Sequence, residues 1–162
     1  MIRLALAALP LVLGGCVMEE RESPARPGFY QSLAAPNAVV DGPMARDMIG
    51  AYRRNKGLGP LVLDPDLQAA AEAEARAMAS ADKPRSADAL KASLAQGGLR
   101  DPAANLSAGY HTLPEAFSGW RESPVHDRVL LDPRAARMGI ATAYAPGSKY
   151  KVYWALVTAG PP

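Results

Sequence analysis

The sequence predicts an α+β fold with a sheet between helical layers, and three observations carry that reading. Apolar residues at helical spacing come first: Met44, Met48, Ile49 and Tyr52, then Leu67, Ala70, Ala71, Ala75 and Met78. Two strands come last, residues 138–144 and 150–157, across a turn at Pro146 and Gly147. The final strand is apolar on both faces, with Val152, Trp154 and Leu156 on one and Tyr153, Ala155 and Val157 on the other. A strand of that kind belongs inside a sheet covered on both sides.

Size and charge narrow the classes. The 162 residues give room for one domain with a real core. Eighteen Lys and Arg and sixteen Asp and Glu are interleaved, for a formal net charge of +2. No basic stripe points to nucleic acid, which is not expected as a partner. One cysteine and two histidines form no cluster with metal-ligand spacing, and no internal repeat is visible.

The first residues read as a targeting segment. Arg3 precedes an apolar run over residues 4–13, far short of the roughly 20 residues needed to span a bilayer. The run ends Leu13-Gly14-Gly15-Cys16, which resembles a bacterial lipobox. A signal peptide over residues 1–15 and lipidation of Cys16 are therefore expected, the alternative being a general export signal with a chance cysteine. A thiol there can be linked to diacylglycerol, and each buried acyl methylene contributes about 0.8 kcal/mol to anchoring. With no second cysteine, no disulfide is available. Met18, rather than Asp, two places after Cys16 favours the outer membrane by the sorting pattern of Gram-negative lipoproteins. Residues 16–43 hold Pro24, Pro27, Pro36 and Pro43 among glycine, serine and charges, so an extended or disordered tether is expected, with a folded domain over residues 44–160.

Within the domain each helix has local signals. Gly57 and Gly59-Pro60 stop the first helix, and residues 61–63 form a short apolar link. Asp64-Pro65 opens the second as cap and first position; its alanine stripe implies close approach to whatever it packs on. Residues 82–85 break it, and Ser86 caps a third helix carrying Leu90 and Leu94 and ending at Gly97-Gly98. A short apolar strand then carries Asn105. Thr112 and Glu115 fit a capping box ahead of a helix bearing Phe117 and Trp120, two core aromatics. Ser123-Pro124 fits an N-cap and first helical position. His126 then falls in a first helical turn, where the dipole favours the neutral ring.

The order Asn105-Leu106, Gly109, a helix ending in Trp120, then Ser123, His126 and Leu130-Leu131 before Pro133 resembles the core of the CAP superfamily. These are the SCP-like, cysteine-rich secretory and pathogenesis-related-1-type proteins, here in their short bacterial form. Arg53-Arg54, Gly57-Leu58 and Pro60-Leu61 ahead of the alanine-rich helix are similar to the family's opening, so the likeness covers nearly everything after residue 44. The resemblance implies a three-layer α-β-α sandwich with a small antiparallel sheet. Metal-binding members of the family use two histidines and nearby glutamates. His126 matches the second histidine, but residues 82–86 hold no first one, and Ala103-Ala104-Asn105 stands where Gly-Glu-Asn is usual. A zinc site needs three or more protein ligands, so neither a metal nor another cofactor is expected.

Candidate groove or ligand-binding residues are Asn105, Ser107, His111, Ser123 and His126. His126 has two readings: a half-buried ring whose N–H meets a backbone carbonyl or Asn105, or a wall of a ligand groove. Ser123, His126 and Asp127 do not make a triad on this reading, because Ser123 is spent as a cap; no catalytic residue is assigned. His111 is expected in an exposed loop. The resulting expectation is a lipid-anchored, non-catalytic envelope module binding a small ligand, lipid, glycan or envelope protein, at the outer membrane facing the periplasm or the cell surface. A hydrolase acting on peptide or cell-wall substrates and a structural scaffold are the alternatives.

Overall fold

The structure, a computed structural model, describes residues 28–162. The signal segment and Cys16 lie outside the described residues. Five helices and four strands follow in the order α1 (Gly42–Asn55), β1 (Val62–Leu63), α2 (Pro65–Ser80), α3 (Ala87–Gln96), β2 (Ala103–Ala108), α4 (Leu113–Glu122), α5 (Pro124–Leu130), β3 (Arg137–Tyr144) and β4 (Val152–Ala159).

The strands form one sheet in the order β1-β3-β4-β2. β4 is interior and buried along its whole length, as its two apolar faces require. Val152, Trp154 and Leu156 meet Ile49, Ala116, Trp120 and Leu130 on one side. Tyr153, Ala155 and Val157 meet Leu67, Ala71, Ala75 and Met78 on the other, with Leu90 and Leu94 packed alongside. The three layers are thus α1, α4 and α5, then the sheet, then α2 and α3. The sheet is mixed, not purely antiparallel. Residues 61–63, read from sequence as a link, include an edge strand that runs parallel to β3, with the Val62 and Asp64 N–H groups bonded to the Ala136 and Met138 carbonyls. Two residues are too few to show alternation, which is why the sequence did not reveal it.

The alanine stripe does bring α2 close. A Cβ on Gly139 would stand 2.2 Å from the Leu67 carbonyl carbon, so β3 accepts α2 only because that position is glycine. Caps behave largely as their residue types dictate. Asp64 accepts from the Asp66 and Leu67 N–H groups, Ser86 from Asp88, and Thr112 with Glu115 completes a capping box. Ser123 occupies the N-cap of α5 but makes no side-chain cap hydrogen bond, which corrects the role assigned to its oxygen. The helix is instead started by Pro124 and by the Asp127 N–H on the Ser123 carbonyl.

The stretch expected as tether is held to the domain from residue 28 onward. A 3-10 turn spans Gly28–Tyr30, Leu33 and Val40 enter the core, and the Leu33 N–H bonds the His111 carbonyl at 2.7 Å. α1 starts at Gly42, capped by Asp41, two residues earlier than expected. Prolines hid this because isolated apolar residues between them carry no period. A second feature without a sequence signal is Arg53, only 1% exposed. Its guanidinium donates to the carbonyls of Gly59, Leu130, Asp132 and Ala135 at 2.8–3.0 Å, tying α1 to the chain between α5 and β3.

Candidate functional site

A cavity of about 800 Å³ opens beside β2. One wall is the start of α3 with Arg85, Ser86, Asp88 and Lys91; the other is α5 and the chain after it, with Val125, His126, Arg128, Asp132 and Arg134. Ala103, Ala104 and Leu106 of β2 form the floor. Strand alternation explains the arrangement. Ala104 and Leu106 turn their side chains to the α2–α3 layer, while Asn105 and Ser107 turn theirs to the α4–α5 layer.

Asn105 is fully buried and clamps His126 twice. Its Nδ2 donates to the His126 carbonyl at 3.0 Å, and its Oδ1 lies 2.9 Å from His126 Nδ1. Because Nδ2 is the donor to a carbonyl, Oδ1 is left as an acceptor, and the imidazole proton must sit on Nδ1. Nε2 is then a bare acceptor with no partner among the described residues. Burial holds the His126 pKa below its ordinary value, so the ring is neutral at pH 7. The first reading of His126, a half-buried ring bonded to Asn105, describes this side chain, and the residue is also among those that line the cavity.

The other sequence candidates separate from this pair. Ser107 Oγ accepts the Trp120 indole N–H at 3.0 Å, locking α4 to β2 beneath the α4–α5 layer. His111 is exposed beyond the far end of β2, where its N–H bonds Glu115 Oε2, and it does not line the cavity. Ser123 is half-buried at the α4–α5 junction and is also outside the lining. Asn105, His111 and His126 therefore do not converge on one pocket.

Charges around the cavity were not foreseen. Asp132 is gripped by Arg134 through both carboxylate oxygens, and Arg134 also reaches Asp101. Arg85 pairs with Glu74, and Lys91 with Asp88. Asp127 accepts the Tyr52 hydroxyl at 2.9 Å. Arg128 has no carboxylate partner among the described residues. The hydrogen bond from Arg134 and the nearby cations keep the Asp132 carboxyl ionised below the usual range. Among the described residues no three His, Cys, Asp or Glu side chains gather to hold a metal ion. The donor set does not fit a divalent metal: the lining offers one imidazole, and its carboxylates Asp88, Asp127 and Asp132 are already bonded to Lys91, Tyr52 and Arg134.

The comparisons agree with this architecture. The family model for the cysteine-rich secretory protein family, CAP, matches residues 46–158. A cysteine-rich secretory protein from Staphylococcus aureus superposes with a TM-score of 0.60 at 21% identity, over 75% of this chain and 40% of that one. An extracellular protein containing an SCP domain from Bacillus anthracis gives 0.61 at 18%, over 74% and 40%. The chain thus spans well under half the length of those two proteins. An outer surface protein of Borrelia burgdorferi gives 0.63 at 13%, over 77% of this chain and 98% of that one. Among curated proteins none matches. With a three-layer fold, the Asn105–His126 clamp beside β2 and a family match running from α1 to β4, the chain belongs to the cysteine-rich secretory protein (CAP) family.

Proposed function

We propose that the protein is a lipid-anchored module of a bacterial cell envelope, and that the cavity beside β2 binds a ligand without performing chemistry on it. The observation that carries the binding role is the cavity itself, about 800 Å³, lined by a neutral imidazole fixed by a buried amide and by Arg128, a guanidinium with no carboxylate partner among the described residues. Such a combination, a preformed concavity with a few fixed polar groups, is what ligand sites are made of. Among the residues lining the cavity no hydroxyl stands free as a nucleophile. Ser86 is the hydroxyl residue in the lining, and its hydroxyl is spent on Asp88. A base without a nucleophile or a metal set has nothing to activate but water. Export is supported by Leu13-Gly14-Gly15-Cys16 after an apolar run and by the extracellular and outer-surface descriptions of the structural neighbours.

Two measurements separate the two halves of the proposal. Fractionation of cells expressing the full chain should place it with membranes, and Cys16→Ala should release it to the soluble fraction. A soluble wild-type protein contradicts the anchor. For the cavity, envelope extracts passed over immobilised full-length protein should yield a small molecule, glycan or peptide whose retention drops at least tenfold with Arg128→Ser. Retention indifferent to that change contradicts the binding site.

A further inference from the structure

The floor of the cavity is backbone, and its hydrogen bonds can be counted. The β2–β4 register pairs Ala103 with Thr158 and Asn105 with Leu156, and continues to the Gly109 N–H on the Val152 carbonyl. In an antiparallel ladder alternate residues exchange their N–H and C=O with the neighbour, and those between point the other way. Gly109 bonds to β4, so Asn105 and Ser107 do too. Ala104 and Leu106 therefore direct their N–H and C=O groups outward from the free edge of the sheet, towards the cavity they line. No hydrogen bond among the described residues ends on any of these four groups. Both residues are also nearly covered, at 5% and 7% exposure. Backbone polar groups in such a place call for a partner.

The opposite side of the same sheet shows how this chain treats an edge it closes for itself. Beyond the two-residue β1, the outward N–H of Ile140 on β3 is taken by the Gln68 side-chain oxygen at 3.0 Å. Among the described residues β2 receives no such side chain. Donors and acceptors at the two-residue repeat of a strand are matched by another extended backbone. A glycan offers no such alternation. The side chains such a strand would present are indicated by charge. Every carboxylate lining the cavity has a partner, whereas Arg128 has no carboxylate partner among the described residues; Arg85, by contrast, is paired with the buried Glu74.

We infer that the ligand of this cavity is an extended acidic peptide segment, which adds to β2 as a fifth strand through the N–H and C=O groups of Ala104 and Leu106, with a carboxylate against Arg128. This rests on the reading of the cavity as a binding site and names the occupant.

The test uses the full-length, 15N-labelled protein and the peptide acetyl-Val-Glu-Thr-Glu-Val-Glu-amide. Binding should slow hydrogen exchange at the Ala104 and Leu106 amides at least tenfold. Of the two peptides N-methylated at alternate residues, one should lose binding and the other keep it. Arg128→Ser, an exposed change that leaves the fold intact, should weaken binding at least tenfold. Shifts at His126 with unaltered exchange at both amides would overturn strand addition while leaving a binding cavity in place. Equal binding of both N-methylated peptides would do the same. A tetramer of N-acetylglucosamine that shifts His126 when the peptide does not would make the ligand a glycan. No response of any cavity residue to peptide or glycan would overturn the cavity reading together with the inference.

Discussion

At the scale of single residues, two buried polar side chains decide the shape of the site. Arg53 makes no salt bridge among the described residues and is held by four carbonyls; burial lowers its pKa, and the charge of Asp132 acts in the opposite sense. Removing it leaves those four carbonyls without their donor, one of them on Asp132 of the cavity lining. Arg53→Ala should therefore cost about 3–5 kcal/mol in urea denaturation. A loss of under about 1 kcal/mol would show that water replaces the guanidinium. His126 adds a pH dependence of known sign. Its folded pKa is below the unfolded value, so the unfolded chain binds more protons in the interval between them. Stability from this group is complete above about pH 6.5 and falls as pH drops from there to the folded pKa. The melting temperature should decline between pH 7.5 and 5.5, and the decline should be smaller in His126→Gln. The carboxylates with lowered pKa, Asp64 and Asp132, act in a separate and more acidic window, because their contribution is lost only as pH falls below about 4.

At the scale of elements, close packing and a docked N-terminal segment matter most. α2 lies on β3 through Gly139, where an added methyl would collide with the Leu67 backbone and not with a side chain that could turn away. Gly139→Ala should destabilise by about 3 kcal/mol, because a whole helix must shift. Deletion of residues 28–41 removes Leu33 and Val40 from the core and the Leu33 bond to His111. At about 1.5–3 kcal/mol for each of these two buried aliphatic side chains, roughly 3–6 kcal/mol should be lost, measured as a fall in the urea midpoint. A truncation starting at Met44 that kept full stability would show that this segment merely rests on the surface.

For the whole molecule, the legible parts were those with a local signal. The helices announced themselves through period and caps, and β4 through apolar residues on both faces, because each property belongs to neighbours in sequence. The three layers and the family followed from Asn105, Trp120, Ser123 and His126 in order. The Asn105–His126 pair was legible as one of two readings of His126. Whatever depends on distant partners was not. β1 shows itself only by pairing with β3, and Arg53 only by carbonyls on two separate stretches of chain, at Gly59 and over residues 130–135. The floor of the cavity is made of N–H and C=O groups, which every residue type but proline carries, so no side-chain identity at Ala104 or Leu106 could mark it. His111 and Ser123 were grouped with His126 because they are near in sequence, but one follows the far end of β2 and the other sits at a helix junction. The site as a whole needs the imidazole of position 126 to be neutral, protonated on Nδ1 by its bond to Asn105, and open at Nε2. Nitrogen-15 NMR of the histidine side chains across pH 5–8 measures all three. The ring should show a protonated Nδ1, a bare Nε2 and a midpoint below about 6.5, with Asn105→Ala erasing the tautomer preference. A proton on Nε2, or a midpoint above that value, would contradict the account.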